Sequence, residues 1–372
     1  MLKTGLSLLP SNDYELVLTE SALPKDLTLE LTLDTFHSES EHPNWYTEAI
    51  NQHLRTGGSF IGHLVSWPVF GQWQKEREQE YFELVRSQVT RLGIQDLTIH
   101  YGSLASDRNT LLPPVPLPHT QYTKTSLKNQ MRRLQEAVNC KVGVEILALA
   151  VSKEDVLWQL DTIAEVSEQA DTYVHLDFHN LFCQSVNFGA DFGELLSRLP
   201  LGRIRHAHIS GGSQSLHGKN PVPFRRDTHD DHVPEELWSL LEHWLGSLTN
   251  LSTITFERIA GSFDDSPLTR TSVVRELLRL NDLVIRQNKA EYNRTNRHLT
   301  DRNLRDFANK RETNPADIQL LNPIAAEVLI ELIRNQDVHK LSKLYSAQNS
   351  NTAAIDLRAV DAARLILEKW TI

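Results

Sequence analysis

Apolar residues in this chain come in two spacings that alternate from the N-terminus to about residue 257. Short apolar runs fall at Leu6–Leu9, Leu27–Leu33, Phe60–Val65, Leu97–Tyr101, Lys141–Leu147, Thr172–Asp177, Ile204–Ile209 and Thr253–Glu257. Their length and β-branched content predict buried strands. Between them, Asn44–Arg55, Gln72–Leu92, Lys124–Val138, Lys153–Gln169, Phe192–Leu199 and Pro234–Leu248 repeat apolar positions at three- and four-residue steps. That spacing gives a helix one apolar face. Two helix starts are marked chemically: Ser152 stands before Glu154 and Asp155, and Pro234 before Glu235 and Glu236. A hydroxyl cap, a proline at the entry and acids in the first turn all favour a helix N-terminus. Strand and helix alternating eight times predict a parallel TIM (β/α)8 barrel rather than an open sheet. The early units are the weakest, because Ser11–Ser21 makes a poor helix.

Beyond the eighth run, Pro267–Arg286 reads as the closing helix, which bounds an α/β barrel over residues 1–286. A polar stretch, Gln287–Arg302, leads to helical segments near Asn303–Arg311, Pro323–Arg334, Val338–Ala347 and Ala359–Trp370. A tail of this length exceeds an ordinary loop. It predicts a small helical domain over residues 293–372. Docking of a flexible peptide or of a partner is its expected use, with barrel capping or dimerisation as the alternative. The proline-rich segment Ser103–Thr120 is expected to run extended along the barrel mouth.

Composition narrows the function classes. A chain of 372 residues accommodates a barrel of about 250 residues and a smaller unit. The net charge of -10, from 48 acidic and 38 basic residues, repels phosphate backbones and anionic lipid. No run of about 18 apolar residues is present. The N-terminal segment, broken by Pro10, reads as a first strand rather than a signal peptide. A cytoplasmic protein without nucleic-acid or membrane partners is expected. Two cysteines, Cys140 and Cys183, are too few for a disulfide framework or a Cys-based zinc site. His37, His119, His217 and His243 lie in polar or helical contexts and read as surface or loop residues.

The remaining histidines and acids fall in a pattern. Apolar runs lead into His63, His100, Glu145, Asp177, His208 and Glu257, and a barrel brings the C-terminal ends of its strands to one mouth. In an extended chain His175, Asp177 and His179 share a face, as do Asp227 and His229. Each case has a bland reading on its own. Asp177 can pair with an arginine, the heptad Arg226–His232 can be a solvated loop, and one of His206 and His208 can be a packed core residue, His208 lying nearer the strand end. Yet a carboxylate buried in a barrel needs a compensating cation, and six strands repeat the placement. Imidazole and carboxylate without thiolate suit iron, manganese or zinc. So many donors exceed the needs of one ion, so two or three ions are expected, with Glu145 as a bridge.

This order of residues resembles the xylose-isomerase-like barrel superfamily, which includes the endonuclease IV enzymes. Within it the chain is most similar to the multinuclear non-heme iron-dependent oxidative enzymes, the family of the methanobactin-biosynthesis oxidase. The resemblance covers about residues 1–280 and rests on Gly62-His63, the prolines around Pro113–Pro116, Leu176–Asn187 and Asp227–Val233. It implies two or three iron ions, Fe(II) and Fe(III), with dioxygen as co-substrate. It also implies oxidative modification of a side chain, often Cys, in a ribosomally made precursor peptide, usually with a partner protein presenting that peptide. By position it makes His63, His100, Glu145, Asp177, Asn180, His208, Asp227, His229 and Glu257 the ligands. Two departures stand out: Ile146 occupies a position where the family usually has Asn, and the opening Thr4–Leu8 lacks the family's Arg. A zinc- or manganese-dependent hydrolase or isomerase on the same cage is the alternative reading; Asn180, where the nuclease branch would show His, and the acidic charge argue against a nuclease.

Overall fold

A computed structural model describes residues 1–19, 23–24, 26–34, 42–71, 73–104, 114–216, 222–259, 262, 267–297, 324–345 and 355–370. The expected helix near Asn303–Arg311, and Pro113, His37 and His217, lie outside the described residues.

Eight parallel strands close into a barrel. They are β1 (Lys3–Ser7), β2 (Thr28–Thr32), β3 (Ser59–Leu64), β4 (Asp96–His100), β5 (Lys141–Glu145), β6 (Tyr173–Asp177), β7 (Ile204–Ile209) and, after the ribbon of β8 (Gln214–Ser215) and β9 (Phe224–Arg225), β10 (Thr253–Phe256). Their order is β1-β10-β7-β6-β5-β4-β3-β2. The seam is sealed by β1 against β10, with Lys3 opposite Thr253 and Leu6 opposite Phe256. The first strand starts earlier than its apolar run, because Thr4 and Gly5 already lie in the ladder.

The helices around the barrel are α1 (Asn12–Leu18), α2 (Asn44–Arg55), α3 (Lys75–Leu92), α4 (Gln121–Val138), α5 (Lys153–Ala170), α6 (Phe178–Phe188), α7 (Phe192–Leu196) and α8 (Glu235–Trp244). Side chains cap four of these eight starts, satisfying free N–H groups. Ser152 accepts from the amide of Asp155, and Thr120 from that of Thr123. Helix α6 departs from the sequence reading. The chain does not stay extended through His179; it turns into helix at Phe178, with the Asp177 side chain accepting from the Asn180 amide.

The barrel interior is filled by side chains of matched size. A Cβ on Gly143 would fall 1.9 Å from the ring of Tyr173. Only glycine lets that ring cross the barrel, where its hydroxyl donates to the Leu97 carbonyl at 2.6 Å.

Helix α9 runs unbroken over Pro267–Arg297, across the polar stretch where the sequence suggests a boundary. It is followed by α10 (Ile324–Arg334), α11 (Val338–Leu344) and α12 (Leu357–Trp370). Leu329, Ile333, Leu341, Tyr345, Val360 and Leu367 are buried in one apolar core with barrel residues. The His119 amide donates to the Leu344 carbonyl at 3.1 Å, and the Asp356 amide to that of Val151 at 2.7 Å. These barrel partners lie in the loops after β4 and β5, so the tail helices pack on the mouth end of the barrel. His119 is therefore no surface residue. It is buried, pairs through Nε2 with Asp155 Oδ1 at 2.8 Å and stacks on Trp158. No helix among the described residues is long and apolar enough to cross a membrane.

Candidate metal centre

The strand ends deliver one donor each to the mouth: Glu30 from β2, His63 from β3, His100 from β4, Glu145 from β5, Asp177 from β6, His208 from β7, and Glu257 just past β10. Glu145 lies at the middle and is 2% exposed. Its Oε2 faces His63 Nε2 at 3.2 Å and His100 Nδ1 at 3.3 Å, while its Oε1 faces His208 Nδ1 at 3.2 Å. The same His208 nitrogen lies 3.1 Å from Glu257 Oε2 and 3.8 Å from Asp177 Oδ2.

The donors fall into overlapping groups whose ligand atoms all lie within 4.8 Å of one another: Glu30, His63, His208 and Glu257; His63, His100 and Glu145; Glu145, Asp177 and His208; Asp177, His229 and Glu257.

Asp227 and His229 reach the same mouth from the loop after β9, though not as an extended pair. His229 has φ 52°, in the left-handed region, and that bend turns its ring back so that Nε2 lies 2.5 Å from Asp227 Oδ1. Its Nδ1 is 3.6 Å from Glu257 Oε2, which ties the loop to the barrel group. Asp227 also pairs with His179 Nδ1 at 3.4 Å. Asn180 sits in the first turn of α6, where its Nδ2 donates to the Ile146 carbonyl at 2.9 Å. That bond leaves its Oδ1 as the free end of the amide.

The residues fit a cation centre. His63 Nε2, Glu145 Oε2, Asp177 Oδ2 and Asn180 Oδ1 are buried and have no hydrogen-bond partner, although such atoms ordinarily find one. His63 Nε2 and Glu145 Oε2 stand 3.2 Å apart without hydrogen-bond geometry, as expected of two donors aimed at a third point. Five carboxylates, from Glu30, Glu145, Asp177, Asp227 and Glu257, converge here, and buried charge of one sign requires compensation. The groups of the cluster shift one another's proton affinity in the corresponding direction. Burial disfavours a charged His63, yet the adjoining carboxylates of Glu145 and Glu30 outweigh it and push its pKa up to about 10. Burial likewise opposes charge on His229, and Asp227 and Glu257 raise it to about 10. Burial, with Asp227 and Glu145 nearby, pushes Asp177 up to about 8.

All nine residues expected from the sequence are at or beside the mouth: the barrel set converges, Asp227 and His229 join from their loop, and Asn180 stands in the turn capped by Asp177. His206 is elsewhere. It faces Asp96, the first residue of β4, at 3.3 Å, toward the opposite end of the barrel. His175 lies below the mouth, its Nδ1 2.8 Å from Thr98 Oγ1. Sequence reasoning missed Glu30. Its signal was available, since it is a carboxylate inside the apolar run Leu27–Leu33.

Residues 19–265 match the family described as RiPP precursor modification enzyme MbnB/TglH/ChrH, where RiPP denotes a ribosomally synthesised and post-translationally modified peptide. A UPF0276 protein of Alcanivorax borkumensis is 25% identical over 52% of this chain and 64% of its own length. One of Nitrosospira multiformis is 28% identical over 48% of this chain and 59% of its own length. The chain thus spans less than two thirds of these relatives. Among solved structures it is similar to a xylose isomerase domain protein of Alicyclobacillus acidocaldarius, with 14% identity, a TM-score of 0.48, and coverage of 77% of this chain and 99% of that one.

Proposed function

The chain belongs to the MbnB/TglH/ChrH family of RiPP precursor modification enzymes, and on that premise we propose that it oxidises a side chain of a ribosomally made precursor peptide, using iron and dioxygen. The observation that carries this reading is the split of Glu145 between His63 and His100 on one oxygen and His208 on the other. A carboxylate placed so is suited to bridge two ions. His63, His100 and Glu145 would hold one ion, and Glu145, Asp177 and His208 the next. Asp177, His229 and Glu257 would supply donors for a third, with Asp227 beside His229. Iron held by these residues would supply the redox chemistry for dioxygen to act on the substrate side chain.

The protein's own contribution is charge and order. Five carboxylates offset the charge of two or three cations, and the buried donors need little rearrangement to bind. The mouth excludes bulk water over Glu145, Asp177 and His208, each at most 2% exposed, while the Asp227–His229 loop stays partly open for a substrate. A Cys thiolate can ligate iron directly, which makes Cys the favoured target residue. A partner protein that presents the precursor completes the proposal.

Elemental analysis and the visible spectrum of protein purified without added metal test it. Two or three iron ions per chain and a coloured aerobic sample are expected. Stoichiometric zinc with no iron, after growth in iron-replete medium, would overturn the oxidative reading in favour of a zinc hydrolase or isomerase.

A further inference from the structure

Glu30 is 1% exposed and lies on β2 at the edge of the donor cluster. Three groups converge on its carboxylate. His208 Nε2 approaches both oxygens at 2.9 Å. His63 Nδ1 stands 3.4 Å from Oε1, and the Thr255 hydroxyl donates to Oε2 at 3.4 Å. A carboxylate only accepts hydrogen bonds, so each imidazole must turn an N–H toward it. Without an ion His208 Nδ1 hydrogen-bonds Glu145 Oε1 at 3.2 Å; a bound cation would displace the proton on that side, and the ring nitrogen turned away from Glu30 would then carry the lone pair in each histidine. For His63 that atom is Nε2, which faces Glu145 Oε2; for His208 it is Nδ1, which faces Glu145 Oε1 and Glu257 Oε2.

We infer that Glu30 is a positioning residue that fixes opposite tautomers of His63 and His208, so that Nε2 of one and Nδ1 of the other bind the ions bridged by Glu145. The inference rests on the metal reading above and adds a role that none of the expected ligands fills. A metal-bound histidine commonly donates its second N–H to a carboxylate, which sets ring orientation and raises ligand basicity. Here one carboxylate serves two histidines on neighbouring pockets. It reaches them from different sides because β3 and β7 lie on opposite sides of β2 in the barrel order.

The test uses the full chain, with zinc(II) as a diamagnetic probe. Affinity is measured by competition with a chromophoric chelator for the wild type and for Glu30→Gln. Tautomers are read from 15N-histidine NMR of the zinc-loaded wild type. Glu30→Gln is expected to bind zinc about 10–100-fold more weakly, with the same number of ions at saturation. The spectrum is expected to show His63 protonated at Nδ1 and His208 at Nε2. Reversed tautomers would overturn the inference. So would unchanged affinity in a variant that merely melts at a lower temperature, which marks a structural role. An ion missing at saturation would overturn it too, by making Glu30 a ligand. If Glu30→Gln does not fold, the wild-type spectrum decides alone. A wild type that binds no metal would instead remove the metal reading itself, and this inference with it.

Discussion

The phenol of Tyr345 donates a hydrogen bond to the carbonyl of Pro116 at 2.7 Å, joining residues 229 positions apart. Tyr345 is fully buried and meets the ring of His119 edge-on. Tyr345→Phe is expected to cost about 1 kcal/mol, the usual net worth of such a bond. Tyr345→Ala is expected to cost about 3–5 kcal/mol, as for other large aromatic truncations. Urea denaturation of both variants checks this. An alanine variant as stable as the wild type would show that the tail does not pack as described.

Removal of residues 324–372 strips the cover from the loops after β4 and β5 and uncovers apolar surface. The truncated chain is expected to aggregate, as large exposed apolar patches do. Soluble yield and size-exclusion profile measure it. A soluble, monomeric truncated barrel would favour a detachable docking unit, and its peptide affinity would then be compared with that of the full chain.

Asp227 and His229 lie on a loop outside the barrel wall and are each partly exposed. Replacing either by Ala is expected to remove at least one ion and abolish turnover, with an unchanged far-ultraviolet circular dichroism spectrum. Metal analysis and an activity assay on the same preparations provide the check. Full metal content with normal turnover in both variants would dismiss them as ligands.

Gly143→Ala places a methyl against the Tyr173 ring, at 1.9 Å in the undistorted backbone. Overpacking of this kind costs about 1–3 kcal/mol. Thermal unfolding of the variant reports the loss. Pairing it with Tyr173→Phe, which leaves the ring in place, should not rescue it, whereas Tyr173→Ala should.

Burial works against ionised Asp96, but His206 facing it and the hydrogen bonds from Arg205 prevail and hold its carboxyl below the usual range. Because the folded value lies under the unfolded one, the associated stability is present above the unfolded pKa of about 3.9. It fades as pH falls through the lower, folded value. The stability difference between wild type and Asp96→Asn is therefore expected to be flat above about pH 5 and to shrink in acid. Denaturation midpoints from pH 7 down to pH 3 measure it. A difference that grows on acidification would contradict the assignment.

The barrel was legible because its strands announce themselves twice, by an apolar run and by the donor at its end. His63, Glu145, Asp177 and His208 all follow that rule. What escaped depended on local conformation or on long-range packing. Asp177-x-x-Asn180 is an N-cap arrangement, yet period-two alternation suggested that His175, Asp177 and His179 continue one strand; the cap won, and Asn180 went onto a helix. Asp227 and His229 meet because His229 turns left-handed, which residue spacing does not reveal. His119 looked exposed because its partners, Asp155, Trp158 and Tyr345, come from elements far along the chain. Glu30 escaped because it lies in the middle of its apolar run, Leu27–Leu33, rather than at its end, although a carboxylate buried there needs compensation as much as Glu145 does.

Pairing the first strand with the last also sets a schedule for the nascent chain. As the polypeptide leaves the ribosome, β1 to β7 can associate only as an open, curved sheet. The edges of β1 and β7 keep unsatisfied backbone groups until Thr253–Phe256 emerge to fill the gap between them. Unpaired edges of this kind invite wrong partners. Glu257 enters with that last strand, so the donor set is complete only once the ring is shut. Any ion that this cluster takes up would therefore meet its full set of donors only after closure of the ring.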